Sequence, residues 1–421
     1  MNIFSFFASL LTHIELWLVG PLDPDVRHTM HVDMRAACIH SIMATTVTFI
    51  PIILRRSGAS TTQVAYYFAI TALGLLTTNV SMWLIRRWGA KPVSLLCWLL
   101  GRGSFLLTAI AFNATSLLVI FTFFWLLEAW PTPAYVQTIQ AIYPIQQRGR
   151  ILAAVRVGFV ALILILTPLA GWVLDRWGYR ALLPWAGLSG IGSTLIFFSL
   201  MRKIPDTLIE PSRSSLSSIH ILRTDRRMPY YLGGVFLFGL GALMASPLFP
   251  VIQVDRLNLS YTVIGLLGFV QSLFWFLGYL FGGQILDRIG GIRSLQIVFG
   301  INALVILPYI WATNGWMLLP SFITAGLVTA GADLAILYTV SHLAGPDHVS
   351  DYASLNSVIS GFRGLLGPFL GSLLVSIGWE YWKVLALSAA LTLAGAAVLA
   401  FITNAQAATQ PIMVSDKSPE V

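Results

Sequence analysis

The sequence predicts an all-α membrane protein with twelve transmembrane helices, arranged as two parallel repeats of six. The composition, the length of the apolar runs and an internal repeat support this fold. The chain of 421 residues is 57% hydrophobic and only 10% charged, whereas soluble domains carry about 25% charged residues. That composition excludes the soluble enzyme classes.

The apolar residues recur in runs of roughly twenty, the length that an α-helix needs to cross a hydrocarbon core of about 30 Å. Backbone amides in lipid must be satisfied within their own segment, so these runs predict helices. Residues 34–203 form the predicted N-terminal bundle and residues 229–403 the C-terminal one. The predicted spans are 36–54, 63–85, 92–112, 116–139, 151–173 and 181–200, followed by 230–251, 261–286, 294–312, 316–342, 353–376 and 384–403.

Three segments lie outside the two bundles. Residues 1–33 begin with an apolar stretch that His13 and Glu15 interrupt, and no basic segment precedes it, which argues against a cleaved signal peptide. An interfacial helix is favoured there, with a thirteenth span or a misplaced start codon as alternatives. Residues 204–228 predict a polar linker, and residues 404–421 a polar tail, both cytoplasmic.

The basic residues predict the orientation. With the N-terminus placed inside, sixteen of the 25 Lys and Arg residues fall in cytoplasmic segments and six in outer loops. This bias follows the positive-inside rule and puts both termini in the cytoplasm of a plasma membrane, the inner membrane if the source is bacterial. It also accounts for the high pI without a nucleic-acid partner.

The two halves align at an offset close to 200 residues. Six spans per half bring the second copy into the membrane from the same side as the first, so the repeat is parallel rather than inverted. The matched positions are Pro51 with Pro250, Arg56 with Arg256, Ser60 with Ser260, Arg87 with Arg288, Gly89 with Gly290, Pro144 with Pro346, and Pro168, Gly171 and Gly178 with Pro368, Gly371 and Gly378.

Two related loop sequences follow the second and eighth spans. The second copy, GQILDRIGGIR, contains Gly283, Asp287, Arg288, Gly290 and Arg293. The first copy, MWLIRRWGAK, is degraded and contains Arg86, Arg87, Gly89 and Lys91. With these loops the chain resembles the major facilitator superfamily over residues 34–403, whose signature is Gly-x-x-x-Asp-Arg-x-Gly-x-[Arg/Lys].

This resemblance implies two bundles that rock about a central cavity, with the loop motif acting as a latch between them. Because Arg86 replaces the acid of the first copy, Asp287 is expected to form the working latch against the start of the fifth span, at Arg150 or Arg156. The alternative is a solvated loop, since exposed ion pairs contribute little.

Five charged residues lie deep within the predicted spans: Glu128, Asp333, Arg102, Arg156 and Arg363. A charge at the bilayer centre costs at least about 2.5 kcal/mol, so such groups usually face a cavity or a partner. We predict that Glu128 and Asp333 carry a coupling proton, with the arginines as intramembrane counter-ions. The alternative is a set of fixed ion pairs that orient the helices.

His40, Trp125, Tyr135 and Trp275 are the remaining candidates for the substrate cavity. The aromatic rings could stack on an aromatic or cationic solute, although rings on membrane helices more often pack or face lipid. His40 has packing as its alternative role. The residues predict no metal site and no cofactor.

The sequence therefore predicts a secondary active transporter and not an enzyme. No phosphate-cradling loop is present, so direct coupling to ATP is not expected. Proton-coupled export of an amphipathic compound by alternating access is the first interpretation, and nutrient or metabolite uptake is the second. A non-transporting receptor or lipid-handling protein with the same fold is the third. The expected partners are a small solute, a proton and the bilayer, and the expected state is a monomer.

Overall fold

The computed structural model describes residues 19–144, 147–201 and 221–409, and these ranges are helical without a strand. The expectations for residues 1–18, for most of the linker and for the last residues of the tail lie outside the described residues. Eleven helices in the described ranges are long and apolar enough to cross a membrane. Two consecutive helices, Thr61–Leu76 and Thr78–Trp88, form a further span. The twelve-span fold is thereby confirmed.

We number the spans α1 to α12 in chain order. They are α1 Pro24–Arg56, α2 Thr61–Leu76 with Thr78–Trp88, α3 Ala90–Ile110, α4 Ala114–Tyr135, α5 Arg148–Trp177, α6 Tyr179–Met201, α7 Arg227–Arg256, α8 Tyr261–Ile289, α9 Gly291–Trp311, α10 Gly315–Ala344, α11 Asp351–Ser376 and α12 Tyr381–Thr409. The helix Thr132–Ile142 continues α4. We call the end of the bundle at Arg56 and Tyr261 the outer end, following the orientation that the basic residues predict, and the opposite end the inner end.

The first span begins at Pro24, twelve residues earlier than the predicted start at residue 36. Pro24 occupies the first helical turn, where its missing N–H costs nothing, and Asp25 follows it at the positive end of the helix. The polar residues 24–33 therefore form the first turns of α1 rather than a separate segment. As a result Asp33 lies inside the helical bundle, with 3% of its surface exposed.

Spans α10 and α11 follow each other without a break in the helical hydrogen bonding, from Leu319 to Ser376. A straight helix of that length would measure about 87 Å, nearly three times the hydrocarbon thickness. Its apolar windows divide it into two spans, one ending at Ala344 and the next beginning at Asp351, with Pro346, which has no N–H to donate, between them.

The turns between the spans have the same geometry in both halves. After α1 and after α7, Ser60 and Ser260 cap the next helix by accepting a hydrogen bond from a backbone N–H at 3.1 and 3.2 Å. Gly58 and Asn258, two residues earlier, both adopt positive φ, and Asn258 is the only non-glycine residue that does so in the described ranges. The duplication therefore extends to the backbone conformation.

The same correspondence holds further along, at an offset of 201. Gly89 and Gly290 end α2 and α8 with φ of 89° and 80°. Asn113 and Asn314 cap the starts of α4 and α10 with nearly identical dihedral angles. These matched positions define a common register for the two halves, in which a residue of the first half corresponds to the residue 201 positions later.

The halves meet along two helix pairs, α5 with α8 and α2 with α11. A Cβ on Gly171 of α5 would overlap the carbonyl oxygen of Tyr261, and one on Gly364 of α11 would overlap Ala72 of α2. Advancing by six spans converts one pair into the other, which is the arrangement expected for a parallel repeat with its axis along the membrane normal.

Candidate functional site

A cavity of about 300 Å³ lies inside the N-terminal half, surrounded by α1, α3, α4, α5 and α6. Five of the residues singled out in the sequence line it: His40, Arg102, Glu128, Tyr135 and Arg156. Asp33, which the sequence analysis placed in the N-terminal segment, lines it as well. The structure thus gathers most of the intramembrane charge of the N-terminal half around one space.

Arg102 and Glu128 form a two-pronged ion pair across α3 and α4. The Nε and Nη2 groups of Arg102 donate to the two carboxylate oxygens at 2.9 and 2.6 Å. Its Nη1 group donates to Thr194 of α6 at 3.0 Å, and the guanidinium lies 5.0 Å from the centre of the Trp98 ring. Such charge-assisted pairs are strong and directional, so this pair ties three helices together.

Asp33 is held differently. Its Oδ2 accepts one hydrogen bond, from the hydroxyl of Tyr143 at 2.9 Å. Arg156 acts on it electrostatically, and the two residues form no ion pair in the described ranges. The carboxyl therefore has a neutral partner and a nearby, unattached cation. Sequence reasoning missed it because α1 was predicted to begin only after this residue.

Arg156 is exposed to the space beside the cavity. Its charge acts on Asp33 in the N-terminal half and on Tyr279 of α8 in the C-terminal half. Within the described part of the chain it makes no hydrogen bond or ion pair. Its guanidinium is consequently available to a ligand.

Of the other residues predicted to line the substrate cavity, His40 and Tyr135 lie at this cavity and Trp125 does not. His40 stacks on Phe159 at 6.2 Å, and its buried Nδ1 atom makes no hydrogen bond to the part of the chain that the structure describes. Tyr135 packs against Phe197 at 5.3 Å and so contributes to an aromatic wall. Trp125 packs 5.2 Å from Phe124, against an apolar cluster that includes Phe105 and Phe121.

In the C-terminal half, Asp333 and Arg363 do not pair. Tyr279 donates to Asp333 at 2.6 Å, and Trp275 lies 5.9 Å from the Tyr279 ring. Arg363 instead donates to the carbonyl oxygen of Val235 on α7 at 2.7 Å.

The glycine at position 239 explains why Arg363 turns away from Asp333. A Cβ there would overlap the Arg363 side chain, so the missing side chain makes room for the guanidinium against α7. The expected counter-ion pair is therefore corrected to two separate contacts. The register given by Asn113 and Asn314 also equates Glu128 with Thr329, so Asp333 lies one helical turn, about 6 Å, nearer the inner end.

The two copies of the loop motif lie at the inner end. Gly89 and Gly290 make the sharp reversals there, and Arg87 stacks over Trp83 at 5.6 Å. The motif side chains Asp287, Arg288 and Arg293 are exposed. Asp287 makes no hydrogen bond or ion pair to the residues that the structure describes, so the expected contact with the start of α5 is not formed in this conformation.

A latch of this kind is formed at the outer end instead. Asp175, near the end of α5, accepts hydrogen bonds from the N–H groups of Tyr261 and Thr262 at 3.0 and 2.7 Å and from the Thr262 hydroxyl at 2.6 Å. It thereby caps the positive end of α8 across the boundary between the halves. The sequence did contain a signal for it, since residues 171–178, GWVLDRWG, repeat the pattern of residues 283–290.

Arg55 and Asp255, which occupy equivalent positions in the repeat, meet beside this latch. The Arg55 Nε group donates to both carboxylate oxygens at 3.1 and 2.9 Å. Arg56 adds a contact of 3.8 Å with Asp175 and lies 3.8 Å from the centre of the Tyr261 ring. The conformation is accordingly closed at the outer end.

Comparison with known proteins agrees with this architecture. A family model described as Major Facilitator Superfamily matches residues 36–364. Crystal structures of the nucleoside transporter NupG and of a mutant form of it superpose with TM-scores of 0.67 and 0.68 at 13% identity, covering 89% and 90% of this chain and 99% of theirs. The likeness to NupG shows the fold, and the family match over most of the chain shows the family. The chain belongs to the major facilitator superfamily and is a multi-pass membrane transporter, not an enzyme.

Proposed function

We propose that this transporter couples the movement of a proton to that of a small amphipathic solute by alternating access, with the cavity of the N-terminal half as the binding site. One observation carries the proposal. Asp33 is a carboxyl group within a membrane span, almost fully buried, that lines this cavity. Ionisable groups at such depth are expensive to bury and usually serve transport.

Asp33 is a better proton carrier than Glu128. Protonating Glu128 would strand the buried Arg102 guanidinium without its partner, and breaking a buried pair in this way is strongly unfavourable. Among the residues that the structure describes, Asp33 has only the Tyr143 hydroxyl as a hydrogen-bond partner. A hydroxyl can donate to a carboxylate or accept from a carboxylic acid, so both protonation states of Asp33 remain satisfied.

Asp333 is the proposed second proton site, on the face that the C-terminal half turns toward Arg156. Its only polar partner in the described structure is again a tyrosine hydroxyl, that of Tyr279. Arg156 acts electrostatically on Asp33 in one half and, in the other, on the Tyr279 hydroxyl that donates to Asp333. Rocking of the bundles would change which carboxyl Arg156 approaches, and that change supplies a means of releasing and taking up a proton.

The cavity lining suggests the chemistry of the solute. Trp98, Tyr135, Phe159 and Phe197 provide flat apolar surfaces, and Arg156 provides a charged donor. A volume of about 300 Å³ lies at the small end of the range for ligand sites. A compact solute with a ring and one acidic or strongly polar group satisfies both kinds of wall.

Export is the proposed direction, as the sequence analysis favoured. Uptake is the second candidate. The likeness to NupG, a nucleoside transporter, fits the proposed solute, because a nucleoside also combines a flat ring with polar groups. The sign of the pH gradient that drives accumulation distinguishes the two directions.

The test is transport by purified protein in liposomes against a panel of ring-containing solutes, with the pH gradient imposed in either direction. The Asp33→Asn variant is expected to lose accumulation driven by the gradient while it still exchanges labelled solute for unlabelled solute. Asp225→Asn, which changes a carboxylate outside the cavity, is the matched control and should accumulate solute normally. Gradient-driven accumulation by Asp33→Asn at the wild-type level would overturn the assignment, and absence of flux for the whole panel would favour the non-transporting interpretation.

A further inference from the structure

A second recess, of about 340 Å³, opens on the lipid-facing surface of the C-terminal half between α8, α9 and α10. Its lining is almost entirely carbon. Phe281, Ile285 and Ile297 on its walls have 53%, 53% and 51% of their surface exposed. We call this recess the α8–α10 groove.

Glycines form part of the groove wall on the α8 and α10 sides. Gly278 and Gly282 of α8 and Gly331 of α10 all line it. In the register of the two halves, Gly331 corresponds to Trp130 of α4, 201 residues earlier. The comparison therefore sets the smallest residue in one half against the largest in the other.

In the N-terminal half Trp130 fills the corresponding crease. Its indole N–H donates to the hydroxyl of Thr77 on α2 at 3.1 Å, and its carbonyl oxygen accepts from the Ser81 hydroxyl. The ring packs against the cluster that includes Cys97 of α3 and Leu127. The same crease is thus closed by protein in one half and left open in the other.

The inner mouth of the groove is basic. Ile289 and Ser294 line the groove, and the exposed Arg288 and Arg293 lie next to them in the chain. Along α8 the lining runs from Ile289 to Phe274, about 22 Å at 1.5 Å per residue. That length exceeds the depth of one leaflet, about 15 Å of hydrocarbon.

We propose that the α8–α10 groove binds one phospholipid with an anionic headgroup, its acyl chain along the apolar lining and its phosphate at Arg288 and Arg293. The guanidinium group matches a phosphate with paired donors. Basic residues at the membrane surface each contribute about 1 kcal/mol toward binding an anionic lipid. The site lies on the outside of the bundle, so it is independent of the proposed transport cavity.

The test counts lipids retained by the purified protein in native mass spectrometry after exposure to phosphatidylglycerol or phosphatidylcholine. Wild-type protein should retain one more phosphatidylglycerol than the double variant Arg288→Gln, Arg293→Gln, whose affinity for that lipid should fall by roughly thirtyfold. Ile297→Trp should displace the acyl chain, as Trp130 does in the other half. A substitution at Gly331 is avoided, since a Cβ there would lie 2.6 Å from a methyl group of Val298.

The matched control is the double variant Arg87→Gln, Lys91→Gln, which removes the same charges from the loop whose crease Trp130 fills. It should retain phosphatidylglycerol like the wild type. Equal loss from both loop variants, equal retention of phosphatidylcholine, or full retention by Ile297→Trp with unchanged thermal unfolding would each overturn the proposal.

Discussion

The two halves share their backbone turns but place their polar and apolar groups in opposite ways. The N-terminal half has a charged cavity inside and closes its lipid-facing crease with Trp130. The C-terminal half opens that crease and stacks Phe238 on Phe299, 3.9 Å apart and nearly parallel, at the level where α3 carries Trp98. In the common register, the Arg102 and Glu128 positions become Ala303 and Thr329.

This contrast shows which features a duplication preserves. Serine and asparagine caps and positive-φ positions are retained because they set the lengths and directions of the spans. Side chains in the interior have no such constraint and have diverged. The charged cavity that we propose as the binding site therefore lies in one half, while Asp333 and Arg363 are the main intramembrane charges of the other.

The largest effect is expected from the ion pair inside the N-terminal half, if that pair stabilises the fold. Arg102→Ala leaves Glu128 charged and without its partner, and breaking a buried pair costs about 3–5 kcal/mol. The double variant Arg102→Ala, Glu128→Thr copies the C-terminal half and should recover much of that loss. Thermal unfolding in detergent measures both, and equal destabilisation by the single and double variants would contradict the role of the charge.

The next prediction concerns Gly171 and Gly371, which are equivalent in the repeat but pack against different halves of the molecule. A Cβ on Gly171 would overlap Tyr261 of the opposite half, whereas one on Gly371 would overlap the carbonyl oxygen of Met244 within its own half. Overpacking typically costs about 1–3 kcal/mol. Gly371→Ala should lower thermal stability, and Gly171→Ala should loosen the outer end.

Gly300→Ala is the control for this pair. Nothing lies within 4 Å of a Cβ at position 300 of α9, so alanine should stabilise the helix there by up to about 1 kcal/mol. A loss of stability in this variant equal to that of Gly371→Ala would show that the cost comes from the helix backbone and not from the close contact.

The outer-end latch predicts a change in conformation rather than in stability. Asp175→Ala removes the cap from α8, an interaction worth about 1 kcal/mol, and should increase the fraction of molecules open at the outer end severalfold. Spin-label distances between cysteines at Thr115 and Trp316, the outer ends of α4 and α10, report this fraction. Glu380→Gln is the control, since the Glu380 carboxylate contacts Trp382 and Lys383 of its own half; an equal shift in that variant would contradict the latch.

The number of spans and their duplication could be predicted because both are one-dimensional properties of the chain. Apolar length counts the helices, and matched Pro and Gly residues reveal the repeat. The start of α1 could not be predicted in this way, since Asp33 and the polar residues before it have the composition of a linker. Only the packing of α1 against α5 and α6 buries Asp33.

The pairing of the intramembrane charges was partly predictable. Depth along the membrane normal brought Arg102 and Glu128 to the same level, and their helices are neighbours. Asp333 and Arg363 also share a level, but depth does not fix the direction in which a side chain leaves its helix. The space beside Gly239 decides that Arg363 reaches α7, and no span-counting argument contains that information.

The smallest expected effect concerns the inner end of the C-terminal half, where Asp225 joins α7 to α11. Partial burial acts to raise the pKa of Asp225, but hydrogen bonds from Arg227 and from the Tyr352 hydroxyl outweigh it and hold the pKa below its usual value. The stabilisation is therefore present above the ordinary carboxyl range and is lost as the pH falls through the lowered pKa. Its size should stay below about 1 kcal/mol, because the pair is partly exposed. In the Asp225→Asn variant the melting temperature should fall less steeply as the pH is lowered into the acidic range. The same dependence of melting temperature on pH in the variant and the wild type would show that Asp225 makes no net contribution to stability there.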